Sequence, residues 1–430
     1  MAKPKEISPA RLAAFNILQQ VETGAFTSVL LAAEEPRLQP ADRALCHELV
    51  LSVLRRQLYL DKIVEHFAKR RLEQLDSAVR IALRLGLYQL RYLTRIPASA
   101  AVNESVSLVR HARLSSATAF VNAVLRRAIR EANYDPASGV SDPLEKISIE
   151  TSHPRWLIER WANAFGVEEG EAFARANNVV PPTAFRVVKV RANEADVLER
   201  LSAEGATVEK SQVAAGAWRV SGATALVREL NAAGEIYLQD EASQLVAETL
   251  KVTPGERVLD LCAAPGGKTT LLAGVVEDRG LIVAGDRSAT RLETVIATKN
   301  LHGLTLIKPM LLDAGETLPF AKNSFDRVLL DAPCSGTGTL RRNPEIRWRL
   351  TASDFSAFAA NQKRFLVNAA EVVKPGGRLV YSTCSVERDE NEDVIPVLDE
   401  RFRLLDSVRT WPQREGADGF FIAVFEKEQD

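Results

Sequence analysis

The sequence predicts a multidomain chain: an all-α helical bundle, then a small α+β segment, then a doubly wound α/β domain. Three observations predict it. The chain has 430 residues, too many for one hydrophobic core at about 100–200 residues per domain. Apolar residues at helical spacing run through 7–133. From about 234 onward, short apolar runs alternate with helical stretches, the pattern of a parallel sheet with crossover helices.

"SPARLAAFNILQQVETG" opens the helical part, with Ser8 as N-cap, Pro9 in the first turn and Gly24 as the stop. "ADRALCHELVLSVLRRQLYLDKIV", "DSAVRIALRLGLYQLRYL", "SAAVNESVSLVRHA" and "SATAFVNAVLRRAIREA" continue it, separated by short polar breaks. These make a bundle assigned to 1–140. "NYDPASGVSDPLEK" (133–146) is a linker rich in turn residues. "HPRWLIERWANAFG" is helical, and "TAFRVVKV", "NEADVLERLSAEG" and "ATVEKS" read strand, helix, strand, giving an accessory domain over 147–232. The third domain is assigned to 234–430. Its strands are "ERVLDLCAA", "GLIVAGD", "LTLIKPM", "FDRVLLDAP" and "GGRLVYSTC". Ligands of such sheets bind beyond the carboxyl ends of the strands.

Apolar content of 46% and charged content of 26% are those of an ordinary globular chain. No apolar run approaches the ~20 residues of a membrane span, and the first fifteen residues lack the apolar core of a signal peptide. The four cysteines, Cys46, Cys262, Cys334 and Cys384, show no C-x-x-C pairing, which argues against zinc and against a disulfide framework. The expectation is a cytoplasmic protein with no metal. The net charge of −1 conceals an asymmetry: residues 1–140 carry 20 Lys/Arg against 13 Asp/Glu, about +7, and the remainder about −8. A basic first domain points to a polyanion partner.

"VLDLCAAPGGKTTLLAGVV" reads strand, glycine turn, helix. Gly266 and Gly267 permit a tight turn and close approach of backbone to a ligand, and the helix that follows offers free N–H groups. The spacing is neither G-x-G-x-x-G nor that of a phosphate-binding P-loop. Asp286 closes the second strand, placed for a ribose diol, and Asp313 follows the third, placed for an adenine amino group. Each carboxylate alone is equally a helix N-cap. In this order, behind this loop, they have the layout of an S-adenosylmethionine site.

A lone cysteine is commonly a small buried hydrophobe, and Cys46, in an apolar helix, fits that description. Cys262 is ambiguous. Cys334 and Cys384 stand at polar strand ends, in "DAPCSGTG" and "YSTCSVERDENE", where a thiolate nucleophile is placed. Carbon 5 of cytosine does not attack a methyl sulfonium unaided. A thiolate added at carbon 6 makes carbon 5 enamine-like, and a carboxyl at nitrogen 3 stabilises the adduct. Asp331, three residues before Cys334, supplies that carboxyl, and a second thiol can assist release.

"YLQDEASQL", "DLCAAPGGKT", "DAPCSGTGTLRRNPEIRW" and "YSTCSVERDENE" together resemble the RNA cytosine-5 methyltransferase family, in particular its bacterial RsmB/Fmu (Sun) type. The resemblance implies Cys384 as nucleophile, Cys334 as the thiol that promotes release, and Asp331 as the acid that contacts the base. It implies S-adenosyl-L-methionine contacts from Cys262, Ala263, Ala264, Pro265, Gly266, Gly267 and Lys268, and from Asp286, Asp313 and Asp331. The helical part, through "RIALRLGLYQLRYLTRIPASAAVNESVSLVR" and "FVNAVLRR", resembles the RNA-binding NusB bundle. The segment with "SHPRWLIERW" resembles the family's RRM-like accessory domain, without the aromatic-rich strand that stacks bases. The implied substrate is a cytosine of small-subunit ribosomal RNA. Transfer RNA as substrate, and a non-catalytic RNA-binding assembly factor, are the alternatives.

Overall fold

A computed structural model describes residues 7–277 and 279–429. The first six residues, on which the expectation for the N-terminus partly rests, lie outside them. The chain forms two compact units: residues through Val180 together with Leu340–Arg349, and Pro181–Thr339 together with Leu350 onward.

The first unit is helical, as its spacing predicts. Its helices are α1 (Pro9–Glu22), α2 (Thr27–Glu34), α3 (Pro40–Arg55), α4 (Gln57–Ala68), α5 (Ser77–Tyr92), α6 (Ala98–His111) and α7 (Thr118–Arg130). α8 (Pro143–Thr151), α9 (Arg155–Phe165) and α10 (Val167–Ala176) complete it, with the short α16 (Ile346–Arg349) returning from far along the chain. Leu49, Leu60, Ile63, Leu83, Leu87 and Leu125 are fully buried in the bundle core. Proline opens α1 at its first turn, but the Ser8 side chain does not cap the helix; its Oγ instead accepts a 2.9 Å hydrogen bond from Arg11.

Arg347 on α16 is wholly buried. It donates to the Ser152 carbonyl at 3.2 Å, to Asn178 Oδ1 at 2.9 Å and to the Asn177 carbonyl at 3.3 Å. Arg349 donates to the carbonyls of Val21 and Ala25. The basic run "RRNPEIRWR" is therefore partly interior structure of this unit.

The second unit holds two sheets. The smaller is built from β1 (Thr183–Val187), α11 (Glu194–Ala203), β2 (Thr207–Lys210), β3 (Ala217–Ser221), α12 (Thr224–Ala232) and β4 (Ile236–Leu238). Its order β2-β3-β1-β4 is antiparallel throughout, a ferredoxin-like arrangement. The expected strand–helix–strand pattern of this segment stops short of β3, α12 and β4. β4 has three residues, and its place in the sequence assigns it to the next domain, yet it pairs with β1 through Phe185–Leu238, Arg186–Tyr237 and Val187–Ile236.

The larger sheet comprises β5 (Arg257–Asp260), β6 (Leu281–Asp286), β7 (Ile307–Leu311), β8 (Phe325–Asp331), β9 (Val373–Thr383), β10 (Phe402–Thr410) and β11 (Phe420–Lys427). Its order is β10-β11-β9-β8-β5-β6-β7. The five expected strands are parallel, while β10 and β11 form an antiparallel extension outside the expected set, although "FFIAVF" in β11 is itself an apolar run. The helices are α13 (Glu241–Thr249), α14 (Gly267–Val275), α15 (Ala289–His302) and α17 (Ala352–Val372). A reciprocal capping box between Thr351 and Asp354 starts α17. From β5 the chain builds outward to β6 and β7, then returns to add β8 on the other side. The crevice beyond the carboxyl ends of β5 and β8 is the switch point where such sheets bind ligands.

Candidate active site

The loop after β5 places the first residues. Gly266, at φ +107°, turns the chain into α14. A side chain there would meet Val295 Cα at 3.3 Å, so Gly266 faces α15. Cys262, Asp286 and Asp313 line one cavity of about 230 Å3 with Leu312, Phe358 and Asn361. Cys262 also lines a second cavity of about 180 Å3, with Ala263, Ala264, Pro265, Gly267, Lys268 and Asp331. Every residue of the expected cofactor set except Gly266 thus lines one of two cavities that share Cys262.

Both outer carboxylates are already anchored. Asp286 Oδ1 accepts from Ser288 N at 2.9 Å and its Oδ2 lies 3.5 Å from Arg291. Asp313 Oδ1 accepts from Gly315 N at 2.8 Å. A third carboxylate, Asp260, was not singled out from the sequence. It closes β5, lines the second cavity, and accepts from Thr269 Oγ1 at 2.7 Å through Oδ2. Its Oδ1 is buried and unpartnered. Burial foremost, with Asp331 adding to it, pushes its pKa up to about 7. Burial likewise pushes the Cys262 thiol well up, so that side chain packs as a neutral thiol.

Asp331 ends β8. Its Oδ2 accepts from Lys268 Nζ at 2.6 Å and its Oδ1 from Ser382 Oγ at 2.7 Å. Burial disfavours the Lys268 ammonium, but the Asp331 carboxylate outweighs it and the pKa is raised. Pro333 follows, and cannot extend the ladder.

Cys334 and Cys384, fifty residues apart in sequence, come together with their sulfurs 3.3 Å apart. The hydrogen bond to Cys384, then burial, push the Cys334 thiol well up, and either sulfur can be the donor of the pair. The surrounding turns are tightly fitted. Gly338 N donates to the Cys384 carbonyl at 2.9 Å. A Cβ on Gly338 would fall 1.8 Å from the Gly419 carbonyl oxygen, which only glycine avoids. Cys46, by contrast, is buried in α3, its thiol pushed up to about 12 chiefly by burial.

The donor set fits S-adenosylmethionine. The unpartnered Asp260 oxygen is suited to accept from its ammonium, and Asp286 and Asp313 line the first cavity with carboxylates, which are suited to accept from a ribose diol and an adenine amino group. Among the described residues no group of His, Cys, Asp and Glu is placed to hold a metal ion, and no helix is long and apolar enough to cross a membrane.

Comparison with known proteins agrees with this arrangement. The model of the 16S rRNA methyltransferase RsmB/F family matches residues 247–426. That of the NusB family matches 8–130, and the ferredoxin-like domain of RsmF/B-like methyltransferases matches 153–226. The probable ribosomal RNA small subunit methyltransferase B of Bacillus subtilis is 34% identical, over 99% of this chain and 100% of its own. The ribosomal RNA small subunit methyltransferase B of Pseudomonas putida is 37% identical, over 90% and 87%. The crystal structure of PH0851 superposes with a TM-score of 0.84 at 28% identity, covering 99% of this chain and all of that one. A methyltransferase homolog from Pyrococcus horikoshii matches 67% of this chain and all of its own, at 28% identity and a TM-score of 0.58. With relatives this similar along its whole length, the chain belongs to the RsmB/F family of S-adenosylmethionine-dependent methyltransferases.

Proposed function

We propose that this protein methylates carbon 5 of a cytosine in small-subunit ribosomal RNA through a covalent cysteine–cytosine adduct. The observation that carries the reading is the pair of thiols 3.3 Å apart beside a strand-end carboxylate already held by an ammonium. The substrate follows from the relatives named as small-subunit methyltransferases and from the NusB-like unit.

S-adenosylmethionine supplies the methyl group as an electrophile. Asp260, Asp286 and Asp313, with the loop from Cys262 to Lys268, hold it. Cys384 Sγ bonds to carbon 6 of the base, which shifts the ring electrons toward nitrogen 3 and carbon 5. Neutral cytosine has no hydrogen on nitrogen 3, so the Cys384 thiol proton passes there as the bond to carbon 6 forms; Asp331, its carboxylate fixed by Lys268 and Ser382, accepts the hydrogen bond of the resulting N3–H. Carbon 5 is then nucleophilic. Once it is methylated, the carbon 5 proton must leave to a base, the electrons reform the ring double bond, the bond from Cys384 breaks, and the departing sulfur regains the proton from nitrogen 3. Cys334, whose sulfur contacts that of Cys384, is placed to assist this second half. The cytosine must leave its stack to reach the thiols, which favours a loop or weakly paired position. Bisulfite sequencing of ribosomal RNA from a deletion strain tests the reading. Loss of one protected cytosine in the small-subunit RNA is expected, and an unchanged pattern overturns it.

A further inference from the structure

The two thiol loops share an anchor that the mechanism above does not use. Each cysteine is followed by a serine, Ser335 or Ser385, and both serine hydroxyls donate to one carboxylate, that of Glu390. Ser385 Oγ lies 2.7 Å from Glu390 Oε1, Ser335 Oγ bonds to the same oxygen, and Ser335 N donates to Oε2 at 2.8 Å. Gln362 on α17 donates to Oε2 at 3.0 Å and, through the same nitrogen, to the Pro333 carbonyl at 3.0 Å. The two hydroxyls also lie 3.1 Å from each other. The Glu390 side chain is wholly buried, and its backbone carbonyl accepts from Tyr381 OH at 2.6 Å. The neighbouring Asn391 accepts from Thr383 Oγ1 at 2.6 Å and donates to the Ser385 carbonyl at 2.9 Å.

A buried carboxylate is costly unless its oxygens are satisfied, and Glu390 satisfies them with donors drawn from both thiol loops. Neither loop can move away without stripping hydrogen bonds from it. We infer that Glu390 is the positioning residue that fixes the spacing of Cys334 and Cys384, and through it the release half of the reaction. The inference rests on the covalent reading only for its second clause. The Glu390 charge also contributes to holding Cys334 as a thiol, behind the hydrogen bond to Cys384 and burial. Glu390 touches no reacting atom, so its effect is on geometry and release.

Two readouts test it. The first needs no RNA. Diamide oxidises two adjacent thiols to a disulfide and is itself reduced to the hydrazine. With sulfurs 3.3 Å apart, Cys334 and Cys384 should cross-link readily in the otherwise unaltered protein, followed by mass spectrometry of the linked peptides. Glu390→Gln, Ser335→Ala and Ser385→Ala should each slow the cross-link about tenfold, the equivalent of one charge-assisted hydrogen bond, with S-adenosylmethionine affinity unchanged. The serine variants carry the test should Glu390→Gln fail to fold. The second readout is turnover. Glu390→Gln should lower kcat, leave the KM for S-adenosylmethionine unchanged, and accumulate a denaturation-resistant protein–RNA adduct. Glu390→Asp should recover part of the cross-linking rate, because the charge remains. Cross-linking at the unaltered rate in all three variants overturns the inference. Slowed cross-linking with no adduct in any enzyme keeps Glu390 as the spacing residue and removes the covalent reading instead.

Discussion

Lys268 Nζ lies 2.6 Å from Asp331 Oδ2, so the first turn of α14 and the end of β8 are joined by an ion pair across the switch point. The side chains are 14% and 24% exposed. The pair is sheltered enough for removal of one partner to matter, yet wet enough to stay well below the full cost of breaking a buried pair. Lys268→Met and Asp331→Asn, combined in a double-mutant cycle by chemical denaturation, should show a coupling of about 1–2 kcal/mol. A coupling below about 0.3 kcal/mol, the scatter of independent sites, removes the pair from the architecture of the site.

The cofactor cavity gives a second expectation. Asp286 is nearly inaccessible apart from the cavity it lines. Asp286→Ala should weaken S-adenosylmethionine binding by at least ~1 kcal/mol, because the charge-assisted hydrogen bonds to the ribose disappear. Isothermal calorimetry decides it, and unchanged affinity removes Asp286 from the site.

Asp260 makes the cofactor-free protein sensitive to pH. Its carboxyl is raised from 3.8 to about 7 by burial first. Across that window the folded chain keeps a proton that the unfolded chain has released. The group's contribution to stability therefore falls as pH rises from 3.8 to about 7, and stays at its lowest above that. Asp260→Asn removes the penalty and keeps an acceptor for Thr269. Without cofactor it should be more stable than the parent at about pH 8, by up to a few kcal/mol, with the gain vanishing near pH 4. It should also bind S-adenosylmethionine more weakly. Thermal melts across that range check the first part, and equal melting at high pH would show that the carboxylate is better solvated than its surroundings indicate.

RNA affinity should come largely from the positive surplus of residues 1–140. Truncating them is a poor test, because Leu340–Arg349 folds with that unit and Arg349 would lose its acceptors, the Val21 and Ala25 carbonyls. Replacing the exposed Arg70 and Arg71 with Gln, and separately Arg110 and Arg113, is cleaner. For each phosphate no longer neutralised, the slope of log affinity against log salt should flatten by about 0.7–0.9. An unaltered slope in both variants assigns the unit another task.

The parts of this fold legible in the sequence were those whose burial is continuous. β5, β6, β8 and β9 are buried toward their carboxyl ends, where "VL", "LIVAG", "VLL" and "LVY" read as apolar runs leading into the expected site residues. β10 is exposed over most of its length, and β4 has only three residues, so neither produced a pattern. The thiols and strand-end carboxylates were visible because their residue types are rare at such positions. Glu390 was not. It sits in the run "ERDENED", which reads as a solvated charged loop, and only the fold shows Glu390 and Asn391 turned inward while Glu392 pairs with Arg409. Arg347 was concealed in the same way, as a basic residue in a basic run. Nor does local spacing couple Lys268 to Asp331, 63 residues away.

The sharpest expectation concerns the two thiols, because they are adjacent yet should differ in kind. The hydrogen bond with Cys384, then burial, push the Cys334 thiol well up, which disfavours its thiolate. That favours Cys384 as the sulfur that attacks carbon 6. Cys384→Ala should therefore abolish methylation and form no covalent RNA complex, while cofactor binding persists. Cys334→Ala keeps the nucleophile, so the adduct should form and the methyl group should transfer, but the base should fail to leave. A denaturation-resistant protein–RNA complex should then accumulate, and only when S-adenosylmethionine is present. Denaturing gel electrophoresis of both variants with labelled RNA decides between the roles. A complex that persists in the Cys384 variant and is absent from the Cys334 variant would exchange them, making the thiol after Pro333 the nucleophile and the thiol after Thr383 the one that lets the product go.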